Sequence, residues 1–189
     1  GIQFVLSKHE NAAGCMAEGT YHRTGTPGIL VATVGPGALN GINSVENARQ
    51  DRVPLIVLTG CVDADQAETY THQVLDQPQV FRPITKASFT LSAGAAHVIA
   101  DKAATIAMEG RPGPVHIDVP ISVADAPATG TGSLRHPAAP VIPTGQALED
   151  ARTALSRAQR PLIIAGVDAM STGAEAAVQE AAARLPAPL

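Results

Sequence analysis

The chain has 189 residues, 45% hydrophobic and 16% charged, with 13 Lys+Arg against 17 Asp+Glu for a formal net charge of −4. This balance excludes a disordered chain, and without a run of Lys or Arg it excludes a protein that tracks nucleic-acid phosphates. No apolar run approaches the ~20 residues that cross a bilayer, so the expectation is a soluble, cytoplasmic protein with neither membrane nor nucleic acid as partner.

With two Tyr, three Phe and no Trp, packing falls to Ala, Val, Ile and Leu. Residues 2–6 (Ile-Gln-Phe-Val-Leu) read as a strand with no turn before it. An Ala- and Gly-rich helix is expected over 11–23, then an apolar strand over 28–34, a Gly-Pro-Gly turn and a helix to about residue 49. Residues 54–59 and, more weakly, 85–90 read as strands. Ala96, Ile99, Ala100, Ala103, Ile106 and Ala107 recur at helical spacing and predict a helix over 93–109. A strand over 115–119 follows. Short, fully apolar strands separated by helices imply an α/β fold, a parallel sheet with helices on both faces.

Composition then shifts. Residues 126–143 are rich in Pro, Gly, Ala and Thr without periodicity and read as a linker. Beyond them a helix over 146–158, a strand over 161–166 and a helix over 173–184 look like the incomplete start of a second α/β domain. Both ends look cut. The expectation is a fragment: residues 1–125 form a first domain truncated at its N-terminus, and residues 144–189 begin a second.

Cys15 and Cys61 belong to no C-x-x-C pair and read as reduced thiols. His9-Glu10 is not the start of H-E-x-x-H, because Ala13 stands in the fifth position; no phosphate-loop or G-x-S-x-G motif occurs. Two segments remain open to more than one reading. Gly35-Pro36-Gly37-Ala38-Leu39-Asn40-Gly41 follows a strand and opens a helix, which suits a structural turn, a dinucleotide site or another cofactor site. Ser7-Lys8-His9-Glu10 fits a capping box, with Ser7 as N-cap and Glu10 returning to it. It equally fits a carboxylate at the C-terminal edge of a parallel sheet, where small apolar neighbours would raise its pKa. His116 reads as a packed or rim histidine.

These pieces recur in one order: His9-Glu10, Ala17-Glu18-Gly19, Thr33-Val34-Gly35-Pro36-Gly37-Ala38-Leu39-Asn40, and the run from Val53 to Gly60. Arg82-Pro83-Ile84-Thr85-Lys86, then Gly110-Arg111-Pro112-Gly113-Pro114-Val115 and Asp118-Val119-Pro120, complete the series. Together they resemble the pyrimidine-binding (PYR) domain of thiamine-diphosphate enzymes of the acetolactate synthase type. Residues 160–166 resemble the first strand of that family's central domain. The resemblance implies that Glu10 is catalytic, hydrogen-bonding N1′ of the aminopyrimidine and favouring the imino tautomer that takes the thiazolium C2 proton. It implies cofactor contacts from Gly35, Pro36, Gly37 and Asn40, and from Gln73, which His72 precedes where the family usually has Phe.

The resemblance further implies a 2-oxo acid substrate, decarboxylation or carboligation (a lyase or transferase), and homodimers or homotetramers with sites shared between subunits. The family's Mg²⁺ comes with a G-D-G…N motif, which this sequence lacks, and some members hold FAD in the central domain. No metal ligand is therefore expected here, and the chain alone is expected to be inactive and to bind the cofactor weakly. Two other readings stand beside this one: a non-catalytic homologue or scaffold, and a nicotinamide-dependent oxidoreductase using the Gly35 turn with Asp63 nearby.

Overall fold

The computed structural model describes residues 3–128, 141–171, 173–185 and 187–188. The chain divides into two compact units, Gly1–Ala138 and Ala139–Leu189. The first contains α1 (Glu10–Thr24), β1 (Gly28–Ala32), α2 (Pro36–Asn40), α3 (Ile42–Gln50), β2 (Leu55–Cys61) and α4 (Gln77–Phe81). It continues with β3 (Ser88–Thr90), α5 (Ala96–Met108), β4 (Val115–Pro120) and α6 (Ile121–Ala124). Its four strands are all parallel, in the order β1-β2-β4-β3. Parallel neighbours need crossovers, and helices supply them.

The alternation of side chains along β2 builds both layers of the core. Leu55 and Val57 face one side, where they join Leu30, Val45, Ala48, Val53 and Phe81 under α1 and α3. Ile56 and Leu58 face the other, against Val115, Ile117, Ala103 and Ala107 under α5. β1 departs from the expected strand buried on both faces. As an edge strand it covers only one: Leu30 is buried while Ile29 and Val31 are 42% and 52% exposed. Across α1 and α3, buried Glu18 takes two hydrogen bonds from Asn47 Nδ2, at 3.0 and 3.1 Å.

In this unit local signals placed the longer helices to within a few residues, with two corrections. The helix expected from the Gly-Pro-Gly turn to residue 49 is two, α2 and α3, because the Gly41 N–H turns back to Ala38 O at 3.1 Å and tightens the chain there. α4 and α6, each a single turn, had no periodic signal to reveal them.

The strand expected over 2–6 is absent from its described part. Residues 3–7 form no ladder, and Phe4 and Leu6 are 74% and 86% exposed. β propensity cannot make a strand without a hydrogen-bonded neighbour. The second unit departs for the same reason. It contains α7 (Gln146–Arg157), α8 (Val167–Ser171) and α9 (Glu175–Arg184), and no strand forms among its described residues. Ile163 N–H donates to Pro188 O at 3.1 Å, but residues 161–166, expected as a strand, find no ladder. Residues 129–140 of the expected linker lie outside the described residues.

Two of the sequence segments meet beside α5. Lys86 Nζ donates to the carbonyls of Ile106 and Glu109, the latter at 2.6 Å, and so satisfies the C-terminal end of that helix. Its stem lies against Gly113, where an added Cβ would stand 3.3 Å from Lys86 Cδ. The backbone N–H of Lys86 donates to Pro114 O at 2.8 Å. Lys86→Met keeps the stem but removes both bonds, and should lower the unfolding free energy by about 1–3 kcal/mol in urea denaturation. An unchanged midpoint would show that water caps α5 equally well.

Candidate functional site

The α1 N-terminus decides the capping-box reading of Ser7-Lys8-His9-Glu10. His9 is the N-cap, in extended conformation, and its Nδ1 accepts the Asn11 N–H at 3.1 Å. Ser7 Oγ donates to His9 O instead of capping the helix. A capping box is therefore not formed, and the Glu10 carboxylate is released to reach across to α2. There Glu10 Oε2 accepts a hydrogen bond from Asn40 Nδ2 at 3.1 Å. Glu10 has a pKa below the usual carboxylate range, set first by its own backbone N–H, then by Asn40, with a smaller pull from His9. Burial opposes these but loses. The expectation of a raised pKa is thus overturned: the side chain is partly exposed and hydrogen-bonded in its charged form.

Between Glu10 and the sheet runs the Gly35 turn. Gly35 has φ 56° and ψ −116°, which a side chain would make costly, and a Cβ there would stand 3.1 Å from the backbone of Gln73. Gly37 has no room either. A Cβ there would stand 2.3 Å from Thr33 Cγ2 and 3.3 Å from Glu10 Oε1. Pro36, at the first position of α2, needs no backbone donor. Glu10, Gly35, Pro36, Gly37 and Asn40 are brought together, and Gln73 is the next layer behind Gly35. Gln73 is a non-glycine residue at φ 66°, backbone strain of the sort that collects at functional sites. It also lines a cavity of about 240 Å³ with Cys61, Val74, Leu75 and Asp118.

Beneath the turn lies a set of buried polar residues: His116, joined by Thr59, Gln77 and Asp118, to which spacing alone gave no role. Thr59 Oγ1 donates to Asp118 Oδ1 at 2.6 Å and lies 2.7 Å from His116 Nε2. Because the single Thr59 proton goes to the carboxylate, His116 Nε2–H must donate to Thr59, and Ser88 Oγ, 2.7 Å away, donates to Nδ1. His116 stacks on Phe81 with ring centroids 4.3 Å apart, and burial pushes its pKa down to about 4. It is a packed histidine. The available signal was the alternation in β4, where His116 and Asp118 share the face opposite Val115 and Ile117.

Two other groups are accounted for. Asp63, the acidic residue a nicotinamide site would need, accepts from Ser122 Oγ at 2.5 Å and Ser122 N–H at 3.2 Å, capping α6. Cys61 is free, with its thiol pushed up to about 12 by burial and by the Asp118 and Asp63 charges. Among the described residues no group of three or more His, Cys, Asp or Glu side chains could hold a metal ion. No helix among them is long and apolar enough to cross a membrane.

Residues 1–80 match the family described as thiamine pyrophosphate enzyme, N-terminal TPP binding domain. The chain is 34% identical over 173 residues to the acetolactate synthase isozyme 1 large subunit of Escherichia coli K12, covering 87% of this chain and 30% of that protein. It is 36% identical over 196 residues to a protein of Pseudomonas aeruginosa named as a probable 2-ketoarginine decarboxylase, covering 100% of this chain and 34% of that one. It is 30% identical over 192 residues to the oxalyl-CoA decarboxylase of Escherichia coli K12, covering 95% and 34%. The chain spans about a third of the length of these curated relatives.

Proposed function

Since the chain belongs to the thiamine pyrophosphate enzymes, acetolactate synthase-like and carrying their N-terminal TPP binding domain, we propose that it is part of a 2-oxo acid decarboxylase or carboligase. Residues 1–125 are its PYR domain, 126–143 a linker and 144–189 the beginning of its central domain. Bound thiamine diphosphate supplies an acidic C–H and an electron sink for decarboxylation. The residues of this chain supply placement and charge.

The observation that carries the reading is that Glu10 is free of its own helix cap and held at the Gly37 edge of the Gly35 turn by Asn40. An ionised carboxylate there suits a partner that gains a proton, as a ring nitrogen does on passing to its imino form. The fit extends to shape. Glycine at 37 keeps a side chain from crowding Thr33 and Glu10 Oε1, and the Gly35 turn and Asn40 offer a wall for a flat ring. Gln73 stands behind this wall, where an oxo acid or its acceptor would approach. Mg²⁺ and, where retained, FAD would be held by residues beyond the described ones, in a cytoplasmic homodimer or homotetramer. Two observations weigh on the other readings. Asp63 is engaged by Ser122 and not offered to a ribose, and a non-catalytic scaffold has no use for an uncapped, ionised Glu10.

The test is a survey of 2-oxo acids with the complete enzyme, following carbon dioxide release with and without thiamine diphosphate and Mg²⁺. Release from at least one oxo acid, abolished when the cofactor is withheld, is expected. Turnover that is indifferent to thiamine diphosphate would end the reading.

A further inference from the structure

The Gly35 turn is held from within the protein by one side chain. Gln77, 1% exposed, opens α4 just after the Asp76 N-cap, and its amide bridges two parts of the sheet edge. Gln77 Oε1 accepts the Gly35 N–H at 2.8 Å. Gln77 Nε2 donates to Gly60 O at 2.9 Å and to Asp118 Oδ1 at 2.5 Å, with Thr59 Oγ1 at 3.1 Å. The two ends of the amide are not interchangeable. A flipped amide would turn its N–H₂ on the Gly35 N–H and its oxygen on a carbonyl and a carboxylate.

We propose that Gln77 is a positioning residue for the reaction, its amide setting the height of the Gly35 turn above the Thr59–Asp118–His116 network and thereby the placement of Gly37 and Asn40 against Glu10. The reasoning runs through buried polar groups. Without an acceptor, the Gly35 N–H would be buried and unpaired, a state the turn can leave only by moving. A shift of the turn carries α2 with it, because Gly35 O accepts the Leu39 N–H at 3.1 Å. Asn40, at the end of that helix, would then draw the Glu10 carboxylate out of line. Gln77 touches no reacting atom itself. The inference rests on the proposed role of Glu10.

The chemistry supplies its own control. In Gln77→Glu, the introduced carboxyl keeps the bond to the turn and one of the amide's donations only while protonated, its carbonyl accepting from Gly35 and its single O–H donating to Asp118, with the bond to Gly60 O lost. Ionised, it would face the Asp118 carboxylate and the Gly60 carbonyl. The titratable groups around this position are Asp118 and His116 of β4, Cys61 of β2 and Asp76 at the start of α4. Beside Asp118 the new carboxyl keeps its proton to a higher pH than an ordinary Glu.

The experiment uses the complete enzyme with Gln77→Leu, Gln77→Glu and Glu10→Gln. Hydrogen–deuterium exchange by mass spectrometry reads the segment around Gly35, and exchange of the cofactor C2 proton reads the chemistry. Gln77→Leu should speed exchange in the Gly35 segment about tenfold, leave β2 and β4 segments protected, and slow C2 exchange roughly 10–100-fold. Gln77→Glu should match it above neutrality and return toward the wild-type value, as a ratio at each pH, on going down to about pH 5.5. Wild-type exchange at both sites in Gln77→Leu overturns the proposal, as does a Gln77→Glu ratio that is flat with pH. If Glu10→Gln also leaves C2 exchange unchanged, the failure lies with the Glu10 reading; if Glu10→Gln alone slows it, only the role of Gln77 falls.

Discussion

In the complete enzyme, Glu10→Gln should slow exchange of the cofactor C2 proton roughly 10²–10⁴-fold, the range lost with a general acid–base group. The substitution preserves size and removes charge, so the expected loss isolates the carboxylate's electrostatic part. Glu10 is poised for that part by its surroundings. Its own backbone N–H and Asn40 Nδ2 stabilise the anion, so the side chain remains ionised through the neutral range and can accept a hydrogen bond from a ring nitrogen as that nitrogen takes a proton. Cofactor affinity should change far less than the exchange rate, because the substitution leaves Gly37 and Asn40 in place. Exchange at the wild-type rate would remove Glu10 from the mechanism.

The second large effect is on stability and comes from His116. Its folded pKa is depressed to about 4 by burial, against about 6.5 in an unfolded chain. Between those values the unfolded chain binds a proton that the folded one refuses. The stability associated with the neutral imidazole is thus fully present above pH 6.5 and is lost as pH falls through the folded pKa, roughly 3 kcal/mol in all and about 2 kcal/mol by pH 5. Asp118 acts in the opposite sense. Burial raises its pKa against the hydrogen bonds from Thr59 and Gln77, so it returns some stability as pH falls through its own folded value. Urea denaturation of the chain at intervals between pH 7.5 and 5 measures the sum. His116→Gln, which cannot titrate, should flatten the slope. A wild-type slope in that variant would assign the acid sensitivity elsewhere.

The two predictions meet in one structure. Glu10 and Asn40 work on the outer side of the Gly35 turn, while Gln77, Thr59, Asp118 and His116 fill its inner side. A turn that is to hold its geometry benefits from a floor whose protons are fixed in position. Full pairing makes that floor rigid, and the burial of His116 within it makes it sensitive to acid.

What could be read from the chain alone was whatever depends on near neighbours. The unbroken apolar run from Leu55 to Leu58 and the helical spacing of Ala96 to Ala107 are properties of a buried strand and a helix wherever they lie, and they led to the parallel α/β sheet. Of the six candidate site residues, Glu10 and those of the Gly35 turn stood out by residue type and position, while their roles, and Gln73 itself, came only from resemblance to a family. Residues 3–6 and 161–166 show the limit: both have strand composition, and neither pairs, because a strand is completed by a neighbour the segment does not contain. The S-x-x-E spacing could not tell whether Glu10 closes a capping box. The fold decided that, with His9 taking the cap and Asn40, thirty residues away, coming within 3.1 Å of Glu10. Gln77 was invisible because its partners Gly35 and Asp118 are 42 and 41 residues distant. Only the folded sheet brings such groups together away from water, and burial is what turns an ordinary amide into a fixed support.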